Sequence, residues 1–197
     1  SEIKEILDDR VNNQFNGIQV SVTLGQLKSI QVYILGEANQ PGSYTVSGLS
    51  TLTNAIFQSG GVNKNGSLRN IQLKRNGELV INFDFYDLLL KGDISNDQRL
   101  QDGDVIFIPP IVKSAGIDGE VNRPAVFELK DNDTLEDLVN FSGGFLSTAH
   151  KSTSQIERIH SYDGRTIIDI DLETEGMSNI EILNGDILYV YPIINSM

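Results

Sequence analysis

ILGEANQPGSYTV, residues 34–46, and IDGEVNRPAVFEL, residues 117–129, are two versions of one pattern. Ile34, Gly36, Glu37, Asn39 and Pro41 of the first return as Ile117, Gly119, Glu120, Asn122 and Pro124 of the second, each pair 83 positions apart. The same offset runs outward through Thr51-Leu52 and Ser59-Gly60-Gly61, which return as Thr134-Leu135 and Ser142-Gly143-Gly144, making ten identities between residues 31–62 and 114–145. Farther out the register slips a little. Asn76-Gly77 answers Asp163-Gly164, Ile81–Asp84 answers Ile168–Asp171, and Asp102-Gly103-Asp104 answers Asn184-Gly185-Asp186. A period of this length marks two copies of one small domain, and a unit of roughly 80 residues can close a modest core without staples.

Each copy reads strand, strand, helix, hairpin, last strand. In the first, the apolar run Val32–Leu35 turns through 36–42 and resumes at Ser43–Val46; Pro41 withholds an N–H and so places this crossing at a sheet edge. A helix follows, with Ser50 as the expected N-cap, Leu52, Ala55 and Ile56 as its apolar stripe and Gly60 past its end. The second copy substitutes physical equivalents: Asp133 as cap with Glu136 three residues on, and Leu135, Leu138 and Val139 as the stripe. Asn76-Gly77 and Asp163-Gly164 suit type I′ hairpin turns. Val105–Ile108 and Ile187–Val190 read as the closing strands. One amphipathic helix across a mixed sheet of four or five strands is an α+β arrangement, the β-grasp or ubiquitin-like one. Ahead of the copies, Ile3, Ile6, Leu7 and Val11 fall at helical spacing and Ile18, Val20, Val22 and Leu24 alternate, a helix and strand with no counterpart between the repeats.

Composition excludes several classes of function. Fifteen Lys and Arg against 27 Asp and Glu leave a net charge of −12, which repels nucleic acid and anionic lipid. With no cysteine there is no disulfide, thiolate nucleophile or thiolate metal site. Residues 1–20 lack a basic start followed by an apolar run, and no stretch of 18 apolar residues occurs, so any leader, lipid-bearing cysteine or membrane helix is expected outside this sequence.

The strings VYILGEANQPGSYTV, TLTNAIFQSGGV and LQDGDVIFIPP of the first copy, followed less tightly by IDGEVNRPAVFEL, TLEDLVNFSGGF and ILNGDILYVYP, resemble the SLBB domain, the soluble-ligand-binding β-grasp family. In the second copy Ala125 stands where the first has Gly42, and Tyr191 where it has Pro109. The whole chain is similar to one branch, the bacterial polysaccharide export proteins. That resemblance implies residues 1–28 as the C-terminal remnant of an export domain, 29–111 as the first SLBB domain and 112–197 as the second. It further implies a periplasmic position attached to the outer membrane and a ring of identical copies. Capsule or exopolysaccharide would be in transit through that ring, and an inner-membrane polysaccharide co-polymerase would be its partner. No cofactor and no enzymatic activity are expected.

The residues themselves name few sites. Gly36 and Glu37, with Pro41 and Gly42, and Gly119 and Glu120, with Arg123 and Pro124, form twin loops after the first strand of each copy. They are expected to shape the turn, the carboxylates accepting its N–H groups, and to be the candidate contacts for a neighbouring protomer or a glycan. Gly60-Gly61 and Gly143-Gly144 trail a helix C-terminus, the wrong dipole end for a phosphate. Asp169, Asp171 and Glu173 read as one solvent face of a strand, without the partner acid that glycoside cleavage needs. His150 and His160, the latter aligned with Arg75, lack metal or triad spacing. An alternative reading remains, a soluble periplasmic module binding a glycan or small ligand, for which no Trp is available as a stacking platform.

Overall fold

The computed structural model describes residues 28–160, 164–174 and 176–193. The helix and strand expected within residues 2–24, and Asp163 of the second hairpin turn, lie outside them. The described chain builds two five-stranded mixed sheets. In the first, β1 (Ser29–Gly36), β2 (Gly42–Ser47), β3 (Ile71–Arg75), β4 (Glu78–Phe83) and β5 (Val105–Ile108) lie in the order β2-β1-β5-β3-β4. In the second, β6 (Ser114–Gly119), β7 (Ala125–Glu128), β8 (Ser154–His160), β9 (Gly164–Ile170) and β10 (Ile187–Val190) repeat it as β7-β6-β10-β8-β9. The first and last strands of each unit run parallel side by side, and every other pairing is antiparallel. This is the β-grasp order, with the strand that follows Pro41 at the edge.

Alternation builds both cores. Ile30, Val32 and Ile34 of β1 turn inward with Ile106 and Ile108 of β5 and Ile71 and Leu73 of β3. Helix α1 (Leu52–Gln58) closes over them with Leu52, Ala55 and Ile56. Between β4 and β5 a further helix, α2 (Phe85–Lys91), not anticipated from periodicity, is capped by Asp84, whose side chain accepts the Tyr86 N–H at 2.9 Å. In the second unit α3 (Leu135–Phe141) supplies Leu135, Leu138 and Val139 to the core.

The helix caps fall one residue later than the expected Ser50 and Asp133. Thr51 and Thr134 are the N-caps, and Asn54 and Asp137 at the third helical position accept their N–H groups at 3.2 and 2.9 Å. Asp133 is diverted: its carboxylate accepts the Lys130 N–H at 2.6 Å and pairs with Arg69. Glu136 stays exposed. Each helix ends in the doubly bonded C-terminal turn that its Gly-Gly pair suits, with Gly61 N–H on Ile56 O and Gly144 N–H on Val139 O.

The second hairpin corrects two further expectations. Lys74 pairs with Val105 as Glu157 pairs with Ile187, so Arg158, not His160, occupies the place of Arg75. Strand β8 is seven residues long where β3 is five, and His160 lies in the extension. Both arginines hold a buried aspartate with two nitrogens, Arg75 on Asp104 at 2.8 and 2.9 Å and Arg158 on Asp186 at 3.0 and 2.7 Å. Those hydrogen bonds raise both guanidinium pKa values against the opposing effect of burial. Strand β9 ends at Ile170, so Asp171 is no strand residue. It accepts the N–H of Glu173 at 2.9 Å in the turn that follows, which lowers its pKa.

Gly36 and Gly119 set the bend that ends the first strand of each unit. Their φ values are 81° and 89°, and a Cβ there would stand 2.1 Å from Ile108 O and 2.0 Å from Val190 O. Only glycine lets the last strand pass this closely. Replacing either by alanine is expected to cost about 2 kcal/mol or more in urea unfolding, from strain and clash together. Gly61→Ala, with open space around its Cβ, should cost only about 1 kcal/mol. Equal costs at the two positions would contradict this assignment.

Candidate functional site: twin loops and the joint between the units

The eight loop residues occupy corresponding places at the end of each sheet. Glu37 N–H bonds Ile108 O at 2.8 Å and Glu120 N–H bonds Val190 O at 2.9 Å, tying each loop to its last strand. The carboxylates take side-chain donors in place of the turn N–H groups expected for them. Glu37 accepts the Asn63 amide at 2.9 Å, and Glu120 accepts the Thr148 hydroxyl. Pro41 and Pro124 are exposed, and Gly42 is half-buried. Arg123 reaches the Phe141 carbonyl at 2.9 Å, a cation on the C-terminal end of α3. Among the described residues no hydrogen bond joins one loop to the other, so the structure keeps them as two separate features.

What the structure does bring together is a joint that the repeat pattern conceals. Glu128, on β7 of the second unit, places its carboxylate in a turn of the first. One oxygen accepts the Ser67 hydroxyl at 2.5 Å, and the other accepts the N–H groups of Leu68 at 2.7 Å and Arg69 at 3.1 Å. The exchange is mutual: Glu128 N–H donates to the Tyr86 hydroxyl at 2.9 Å, and Arg69 Nη1 donates to Glu128 O at 3.2 Å. Arg69 is only 8% exposed and bridges the units. Its Nε pairs with Asp84 of its own unit at 3.2 Å and its Nη1 with Asp133 of the other. Lys130 closes the circuit, its Nζ 2.6 Å from Asp84.

Apolar packing seals this circuit. Tyr86 belongs by sequence to the first unit and by contact to the core of the second, where its ring stands edge-on to Phe127 and Phe141 at centroid distances of 6.4 and 5.2 Å. The Arg69 guanidinium lies over the faces of Tyr86 and Phe141, 5.0 and 4.8 Å from their centroids. Leu68 packs against both cores. Burial opposes the Arg69 charge, but Asp133 and Asp84 outweigh it, and its pKa is raised. Burial likewise pushes the Tyr86 phenol above the usual tyrosine range, against the Glu128 N–H that favours the phenolate. The assembly positions and holds; no nucleophile stands against a base in it. Among the described residues no three of His, Asp and Glu converge as metal ligands.

The signal for the joint lay in what differs between the copies. At the 83-residue offset Arg69 faces Ser152, Glu128 faces Thr45 and Phe141 faces Gln58, so each of these three contact residues appears in one copy.

Comparison with known proteins gives two matches to models described as the SLBB domain, one over residues 30–108 and another over residues 115–171. Two curated relatives, both the polysialic acid transport protein KpsD of Escherichia coli, are 30% identical over 133 residues. That stretch is 67% of this chain and 22% of the relative, so the chain spans about a fifth of the length of the proteins it matches. No described helix is long and apolar enough to cross a membrane.

Removing one side of a buried ion pair strands the other. Arg69→Ala and Asp133→Ala are each expected to cost about 3 kcal/mol in urea unfolding, and the double variant less than their sum by at least about 1 kcal/mol, because the two side chains pair with each other. Additive losses would contradict a shared circuit. Because the folded state holds Tyr86 protonated above the pH at which the unfolded chain releases the proton, stability falls as pH rises through about 10. Tyr86→Phe should flatten that slope, and an unchanged slope would count against burial of the phenol.

Proposed function

This chain belongs to the SLBB family, carrying two of its domains in tandem, and we propose that it serves as the periplasmic part of an outer-membrane polysaccharide export channel. In this reading residues 1–28 end an upstream export domain, and 29–111 and 112–197 are the two domains. Identical copies stand side by side as a ring around a capsule or exopolysaccharide in transit. The twin loops at Gly36-Glu37 and Gly119-Glu120, with Pro41, Gly42, Arg123 and Pro124, are the contacts to neighbouring copies, and an inner-membrane co-polymerase delivers the polymer. The chain acts by shape and does not turn over a substrate.

The observation that carries this reading is the sealed joint. A channel wall must keep its elements at constant spacing while polymer slides past, and two domains clamped by buried charge and three aromatic rings form such an element. The likeness to KpsD, whose name is that of a polysialic acid transporter, supports the polymer class. An acidic chain also suits a passage for acidic glycans, which it repels and does not retain.

The test uses the full-length protein in its own cell. Removing residues 29–193 in frame should stop surface display of the polysaccharide and leave polymer inside the envelope. Protein purified from the outer membrane should appear as closed rings in electron micrographs. Undiminished surface polymer in the deletion strain would refute the export role. Single copies in the micrographs, with oligosaccharide-induced NMR shifts confined to one unit, would favour the binding-module alternative.

A further inference from the structure

Asn76 and Gly77 join β3 to β4 in a two-residue turn, with Arg75 paired to Glu78 across its base. Their φ values are 52° and 84°, the pair of positive angles that a type I′ turn requires. Among the described residues Asn76 is the one residue other than glycine with a positive φ. Both turn residues are exposed, and among the described residues no backbone carbonyl takes the Gly77 N–H. The end of the hairpin is lightly held. β4 is an edge strand, bonded on one side alone, and its ladder shifts register between Leu73 and Lys74, which leaves the pairs Lys74–Leu79 and Arg75–Glu78 between the shift and the turn. Local opening at such an end costs little.

An asparagine followed by glycine lets a backbone nitrogen reach the side-chain amide carbon, because glycine puts no side chain in the way and turns freely. The described chain has two more such pairs, Asn65-Gly66 and Asn184-Gly185, and each is locked. Asn65 gives its N–H to Asn63 Oδ1 at 2.8 Å, and its carbonyl accepts the Ile111 N–H at 2.9 Å. Gly66 is buried, with its N–H on Asn63 O at 3.0 Å. Asn184 Oδ1 accepts the Ser114 N–H at 2.9 Å, and the Gly185 N–H returns to Ser114 O at 2.8 Å, so that turn is fastened to β6. In both places the nitrogen that would attack is already spent on a hydrogen bond.

We propose that Asn76 is a site of spontaneous modification, converted through a succinimide to aspartate and isoaspartate, and that the isoaspartyl form releases the turn end of β4. The Gly77 nitrogen attacks Asn76 Cγ and forms a new N–C bond. The Cγ–Nδ2 bond breaks, and Nδ2 leaves as ammonia with the proton that Gly77 carried. Water then opens the five-membered imide. Addition at Cγ breaks the new bond and gives aspartate, which a type I′ turn accepts as it accepts asparagine. Addition at the main-chain carbonyl leaves the backbone running through Cγ, with an extra methylene that a two-residue turn cannot take up while keeping its strands in register. Either product adds one negative charge to the net −12. This chemistry needs only water and time, and it is independent of the export role.

The test is incubation of the folded chain at mildly alkaline pH, followed by peptide mapping in the mass spectrometer, which reads every Asn-Gly pair separately. Asn76 should gain about 1 Da at a rate about tenfold or more above Asn65 and Asn184, and the rates should converge in urea, where the turns are lost. The isoaspartyl form, separated by chromatography, should exchange its amide hydrogens faster than the parent across Glu78–Val80 and at the same rate at Phe83. Asn76→Asp should exchange like the parent throughout. Equal rates at Asn65, Asn76 and Asn184 in the folded chain, or no mass gain at Asn76, would overturn the assignment of the site. An isoaspartyl form that exchanges like Asn76→Asp would overturn the release of β4.

Discussion

A carboxylate held by another domain's backbone governs the rest of this structure. Glu128 enters the turn at Ser67–Arg69 and accepts two N–H groups and a hydroxyl there. Burying an anion is unfavourable unless donors surround it, and this one has three, with Arg69 beside it balanced between Asp84 and Asp133. Those charges tolerate burial because Tyr86, Phe127 and Phe141 exclude water from one side and offer ring faces to the guanidinium. Neither unit can turn on the other without exposing part of this set.

The joint is built once. Glu128, Phe141 and Arg69 face Thr45, Gln58 and Ser152 at the corresponding places of the other copy, so among the described residues these three contacts are not repeated. A tandem of this kind is a defined two-domain block, unlike a solenoid whose every repeat carries the same interface. In the proposed channel wall, such a block would set its own length within the chain.

The fold was largely legible from the sequence because the decisive features are local and repeated. Gly36 and Gly119 mark a bend no other residue tolerates, Pro41 marks an edge, and the stripes at Leu52, Ala55 and Ile56 and at Leu135, Leu138 and Val139 mark the covering helices. Errors arose where tertiary demand redirected a side chain. Asp133 is a better intrinsic cap than Thr134, yet it is occupied by Arg69. His160 takes the aligned place of Arg75 only if the hairpin extension is overlooked. Helix α2 buries Phe85 and Tyr86, which are adjacent, and its leucines run consecutively at 88–90, so it shows no stripe at helical spacing. The joint was illegible for a deeper reason: Arg69, Glu128 and Phe141 differ between the copies so that one can grip the other, and identities between the copies carry no trace of them.

A joint of this kind makes the two units one cooperative body. In differential scanning calorimetry the chain should show a single endotherm whose calorimetric and van't Hoff enthalpies agree. Two resolved transitions, or a calorimetric enthalpy near twice the van't Hoff value, would mean that the units melt independently and would contradict it.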